Sequence, residues 1–102
     1  MDNFLIYCKL DTLKCTAEDI DARLETNAQG YMHVNDSLWL VKLESGYIGT
    51  YLRKEDYLMD VVLGEFVRPD SFIIIAPLNQ AYWELPPDVH SFLQHDSDSY
   101  NR

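Results

Sequence analysis

Basic side chains are scarce in this sequence. Eight Lys and Arg stand against seventeen Asp and Glu in 102 residues, a formal charge of −9 at pH 7. Phosphate contacts draw their affinity from Lys and Arg, and a chain this acidic repels polyanions at long range, so direct nucleic-acid binding is disfavoured. Cysteine is scarcer still. Cys8 and Cys15 make no disulfide framework, and neither sits in a C-x-x-C or beside a metal-spaced His; reduced, buried thiols are expected and zinc is not. There is no G-x-G-x-x-G and no P-loop, and Ser37, Ser45, Ser71 and Ser91 lie in no nucleophile elbow. His90 and His95 are five apart, the wrong spacing for a metal pair on one helix face. No apolar run reaches about 18 residues, the length of a membrane span. The N-terminus "MDNFLIYCKLD" carries an acid where a signal peptide needs base, so a cytoplasmic protein is expected.

The hydrophobic fraction, 47%, is that of an ordinary globular domain with a genuine core. In "FLIYCKL", Phe4, Ile6, Cys8 and Leu10 fall on one face of a strand and Leu5, Tyr7 and Lys9 on the other. "CTAEDIDARLETN" then predicts a helix over about 17–25. Thr16 is its N-cap, with Asp19 three residues on, Cys15 and Ile20 occupy the positions of a hydrophobic staple, and Ala17, Ile20 and Leu24 form the buried stripe. "YMHVNDSLWLVKL" reads as a hairpin turning at "NDS". Ile48, Tyr51/Leu52, Leu58/Met59, Val62/Leu63 and Phe66 recur at helical spacing, with a possible break near "RKED". "FIIIAPL" is a strand, and "PDVHSFLQ" allows a last helical turn or two.

The order β-α-β-β-α-β predicts an α+β, ferredoxin-like fold: a four-stranded antiparallel sheet with two helices on one face. One domain over 1–95 is expected, with a C-terminal extension from about 79 and a disordered tail over 96–102. The sheet's other face should be wet, yet Leu5, Tyr7, Leu38 and Leu40 fall on it, and "FIIIA" is apolar on both sides. Something must cover it. The candidates are the chain's own extension, with Tyr82 and Trp83, and a second copy packed as a homodimer. Trp39 and Trp83 are expected to pack this sheet rather than to stack on bases.

"FLIYCKLD", the hairpin with "DSLWLV", the second helix and "FIIIAPL" followed by a Trp-containing extension together resemble small ferredoxin-fold proteins, namely the dimeric CRISPR spacer-acquisition subunit and its SinR-like relatives. The resemblance covers about residues 3–85 and is one of topology. It implies a dimer with facing sheets, the C-terminal strand adding to the partner. In some members it further implies a nuclease in which an Asp from each protomer, at the end of the first strand, shares Mg²⁺ or Mn²⁺. Asp11 stands at that place. The basic surface with which those proteins hold nucleic acid is missing here.

Asp11 thus has two readings. A hard cation takes one or two carboxylates plus water, so one Asp per protomer serves only across a dimer axis. Lys9 and Lys14 flank it and weaken such a site, which favours an ordinary turn residue. The remaining acids cluster. The first helix carries Glu18, Asp19, Asp21 and Glu25 against Arg23 alone; the second carries Glu55, Asp56, Asp60 and Glu65 against Arg53 and Lys54. Side by side on one face, these helices would share an acidic surface suited to a basic protein partner. The expectation is a non-enzymatic interaction protein without cofactor, an inhibitor or regulator of a nucleic-acid-handling protein that mimics nucleic acid. The alternative is the metal-dependent nuclease using Asp11.

Overall fold

The computed structural model describes residues 2–44, 46, 49–78 and 87–94. Tyr82, Trp83, the rest of the 79–86 extension and the 96–102 tail lie outside the described residues.

Four strands, β1 (Asp2–Cys8), β2 (Gly30–Asn35), β3 (Leu38–Leu43) and β4 (Ile73–Pro77), form one sheet in the order β2-β3-β1-β4. Every pairing is antiparallel. The architecture is α+β and compatible with a ferredoxin-like arrangement. β1 alternates as its sequence requires: Phe4, Ile6 and Cys8 are buried while Leu5 and Tyr7 are half-buried on the opposite face. The β2–β3 turn is closed by Asn35, whose Oδ1 accepts from the Ser37 N–H at 2.9 Å. A short polar side chain mimicking a backbone turn is what "NDS" supplies.

Helix α1 spans Ala17–Asn27, two residues beyond the expected end. Its start is a capping box: the Thr16 N–H donates to Asp19 Oδ2 at 3.0 Å, and the Asp19 N–H donates to Thr16 Oγ1 at 3.4 Å. Two orphan donors of the first turn are thereby satisfied. The second helical segment begins later than its apolar spacing suggests. Helix α2 (Lys54–Tyr57) runs on into a π-helical stretch, Leu58–Leu63, and a 3-10 turn, Gly64–Phe66. Tyr51 and Leu52 precede it in a non-helical connection, where Gly46 and Gly49 have φ of 105° and 55°. Those values are in the left-handed range that glycine adopts without strain, so the helix cannot extend back through them.

Both helical segments pack on one face. Phe4, Ile6 and Cys8 of β1, Trp39, Val41 and Leu43 of β3, Ile20 and Leu24 of α1, and Leu58, Val62 and Leu63 form one buried cluster. The opposite face carries a second, smaller core. Helix α3 (Pro87–Gln94) lies there, and its Phe92 is fully buried against Leu40, with Leu5, Met32, Val34 and Leu78 around them. The chain's own C-terminal helix therefore shields part of the face that the sequence left apolar. Beneath it, Lys42 is only 1% exposed. Its ammonium donates to Asn3 Oδ1 at 3.1 Å and sits 5.0 Å from the centre of the Phe92 ring. A buried ammonium is tolerable only with such partners. No helix among the described residues is long and apolar enough to cross a membrane.

Candidate functional site

The helix layer is where the acids gather, and the positions of its bases decide its character. Arg23 projects from α1 toward the second helical segment. Its Nη1 donates to the Val61 carbonyl at 3.1 Å, its Nη2 to Glu65 Oε2 at 2.8 Å, and the guanidinium lies 4.8 Å from the Phe66 ring centroid. Arg53 pairs with Asp56 at 3.2 Å, and the Lys54 ammonium donates to Asp2 Oδ2 at 2.8 Å. Each base of this layer is thus committed to a contact within the fold. Glu18, Glu25, Asp56, Asp60 and Glu65 are exposed, and Glu55 is half-buried. Among the described residues, Glu18 and Glu55 take part in no ion pair. Asp60 accepts from the Tyr51 hydroxyl, and that bond holds the Tyr51 phenol above its ordinary pKa by favouring its protonated form.

Asp21 belongs to a different environment. It is half-buried, and its Oδ1 accepts from the indole N–H of Trp39 at 2.8 Å. The His33 ring stacks on Trp39 with centroids 4.2 Å apart, and His33 Nδ1 is 3.7 Å from Asp21 Oδ2. His33 Nε2 is buried without a hydrogen-bond partner. Asp21 was expected on the shared acidic face; its carboxylate is engaged inside the fold. Sequence spacing gave no sign of this trio, because Asp21, His33 and Trp39 come from α1, β2 and β3 and meet only when those elements pack.

Asp11 lies in a 3-10 turn, Leu10–Thr12, directly after β1. Its side chain is exposed, and its backbone carbonyl accepts from Arg68 Nη2 at 2.8 Å. Arg68 Nε and the Ser71 hydroxyl both donate to the Thr12 carbonyl, at 3.2 and 2.7 Å, and Thr12 Oγ1 donates to the Lys9 carbonyl at 2.6 Å. This turn is fastened by its backbone, with the Arg68 guanidinium held on the Asp11 and Thr12 carbonyls. No group of three or more His, Cys, Asp and Glu comes together in metal-binding fashion among the described residues.

Of the residues read as a dimer face, Leu40 lies under Phe92, and Leu5 packs against that pair. Tyr7 and Leu38 are half-buried. Tyr7 meets Phe72 edge to face, with centroids 6.0 Å apart. Both thiols are free; Cys8 is buried in the main core and Cys15 packs against it, half-buried. Burial pushes Cys8 up to about 11, and Cys15 is raised by burial and by the nearby Asp19. Comparison with known proteins gave no matching family model, no matching curated sequence and no matching solved structure.

Proposed function

We propose that this chain is a non-enzymatic interaction module on a ferredoxin-like βαββαβ domain, which docks its acidic helix layer on a basic, nucleic-acid-handling protein and inhibits or regulates it. One observation carries the reading. On α1 and the second helical segment Glu18, Glu25, Asp56, Asp60 and Glu65 are exposed, while Arg23, Arg53 and Lys54 are held by Glu65, Asp56 and Asp2. Eight acids against three bases, each of those bases tied to a contact within the fold, leave the layer with a net negative field. Such fields accelerate encounter with a positive partner and fix orientation more than they add affinity. Glu18, Glu25, Glu55, Asp56, Asp60 and Glu65 form the docking face. The strand order β2-β3-β1-β4 and the single core shared by both helical segments support the ferredoxin-like reading.

The test starts from a basic partner captured with wild-type protein. Its affinity is then measured for wild type and for a variant with Glu18, Glu25, Glu55 and Asp56 all changed to Lys, across a salt series. Each exposed acid is worth roughly 0.2–1 kcal/mol, so single changes should be nearly silent and the fourfold change should abolish tight binding. Equal affinity with an equal salt slope would remove the acidic layer from the interface. DNA and RNA incubated with the protein and Mg²⁺ or Mn²⁺ should stay intact. Cleavage lost in Asp11→Ala would overturn the proposal in favour of a nuclease.

A further inference from the structure

The acidic layer leaves one strip of the molecule unexplained. Large exposed apolar side chains among the described residues are Leu52, Phe72 and Ile74, and the last two, at 49% and 48%, belong to β4 and its entry. β4 is an edge of the sheet, so no described strand lies beyond it. Protected edges carry charge, a bulge or proline along their length. From Ser71 to Leu78 this segment has no charged residue, and its proline, Pro77, comes at the end. In a chain of charge −9, an uncharged apolar edge is the place where two copies can meet without opposing like charges.

The backbone defines how. β4 pairs with β1 through Leu5↔Ala76 and Tyr7↔Ile74, and the flanking bonds from the Lys9 N–H to the Phe72 carbonyl and from the Leu78 N–H to the Asn3 carbonyl set the phase. Phe72, Ile74, Ala76 and Leu78 therefore turn their peptide groups toward β1. Ile73 and Ile75 turn theirs outward, as strand alternation requires. Their side chains meanwhile pack against the main core.

We infer that β4 pairs edge to edge, antiparallel, with β4 of a second copy of this chain, with Ile74 on the two-fold axis. In that register Ile73 opposes the partner strand's Ile75, so the outward N–H and C=O of both residues are satisfied on each copy. Ile74 meets its own counterpart in a close, non-hydrogen-bonded pair, and the bulky Phe72 faces the small Ala76 on either side. The neighbouring registers are poorer. Centring on Ile75 sets Ile73 against Pro77, which has no N–H to give. Centring on Ile73 sets Ile75 against Ser71, whose N–H already donates to the Arg68 carbonyl at 3.0 Å. Hydrogen bonding and side-chain size thus select one symmetric arrangement, and it joins two sheets into one continuous sheet. This inference stands independently of the acidic layer.

A strand of 5 residues makes a small contact, so the dimer should be concentration-dependent in the micromolar range. Sedimentation equilibrium of wild type should approach twice the 11.9 kDa chain mass. Ile74→Lys, which sets two ammonium groups against each other on the axis, should sediment as a monomer with an unchanged circular dichroism spectrum. In a Cys15→Ser background, Ile74→Cys should form a covalent dimer under mild oxidation. Phe72→Cys should not, because in this register its own counterpart lies about four residues away, roughly 13 Å along the strand. A wild-type monomer at all concentrations would overturn the inference. So would a dimer that Ile74→Lys leaves intact, or cross-linking as efficient through position 72 as through 74.

Discussion

Replacing Asp21 by alanine removes the acceptor of a wholly buried indole. Trp39 is 0% exposed, and its N–H meets Asp21 Oδ1 at 2.8 Å. A hydrogen bond to a charged acceptor contributes about 1.5–3 kcal/mol, and a buried donor left without a partner costs about 1–3 kcal/mol. The Asp21 side chain is 32% exposed, so some water reaches the vacated place, and the lower half of that range applies: about 1.5–2 kcal/mol. One term opposes it. Removing a negative charge from a chain of −9 relieves repulsion by a few tenths of a kcal/mol. Asp21→Asn separates the two, since its amide keeps the acceptor and loses the charge; it should cost less than about 1 kcal/mol. Urea unfolding followed by circular dichroism reads both. With a slope near 1.5 kcal/mol per molar, the alanine variant should lose about 1 M of midpoint. An alanine variant within about 0.5 kcal/mol of wild type, or one no worse than Asn, would refute the reasoning.

Arg23→Met should cost about 1–3 kcal/mol, because it removes a carbonyl bond and a ring contact between two helical elements. Glu65→Gln should cost less than about 1 kcal/mol, since the Glu65 side chain is 76% exposed; equal costs would show that the ion pair alone does the joining. Phe92→Ala should destabilise by about 3 kcal/mol and raise binding of a hydrophobic dye. Unchanged stability and dye fluorescence would mean that α3 does not shield Leu40 and Lys42. For Cys8, the unfolded thiol releases its proton near 9.0 and the folded one near 11. The unfolded state therefore binds fewer protons in that window, and stability should be full below pH 9 and fall as pH rises toward 11. Cys8→Ala, weaker at every pH, should show a shallower fall; an identical slope would assign the loss to other groups.

Strands and caps were legible because their signals are local. Period-two alternation in β1 and the Thr16–Asp19 pair act within a few residues, and the structure realises both. The second helix starts at Lys54, later than its apolar spacing predicts, because Tyr51 and Leu52 continue the helical spacing by coincidence. Tyr51 instead stacks edge to face on Tyr57, with centroids 5.6 Å apart, from outside the helix. Lys42 follows Leu38 and Leu40 at period two along β3, but its burial depends on Phe92, fifty residues downstream, and no pattern around position 42 announces that. The bond between Asp21 and Trp39 is illegible for a related reason. Asp21 flanks the Ile20–Leu24 stripe, and only the packing of α1 on β2 and β3 decides whether such a flank meets water or an indole.

The two proposed interfaces can be told apart by the sign of one response. Docking of the acidic layer on a basic partner is an attraction, and salt weakens it as the Debye length shrinks from about 10 Å at 0.1 M to about 3 Å at 1 M. Pairing of two β4 edges brings together copies that each carry −9 through a strip with no charge of its own. Salt there screens only repulsion, while backbone hydrogen bonds and Ile–Ile contact persist. The dimer dissociation constant should therefore fall between about 0.05 and 0.5 M sodium chloride, over the range in which partner affinity declines. Sedimentation equilibrium at fixed protein concentration measures the first, and titration against the partner the second. A dimer that loosened with salt would contain an opposite-charge contact. The uncharged edge of β4, which offers none, would then not be what holds the copies together.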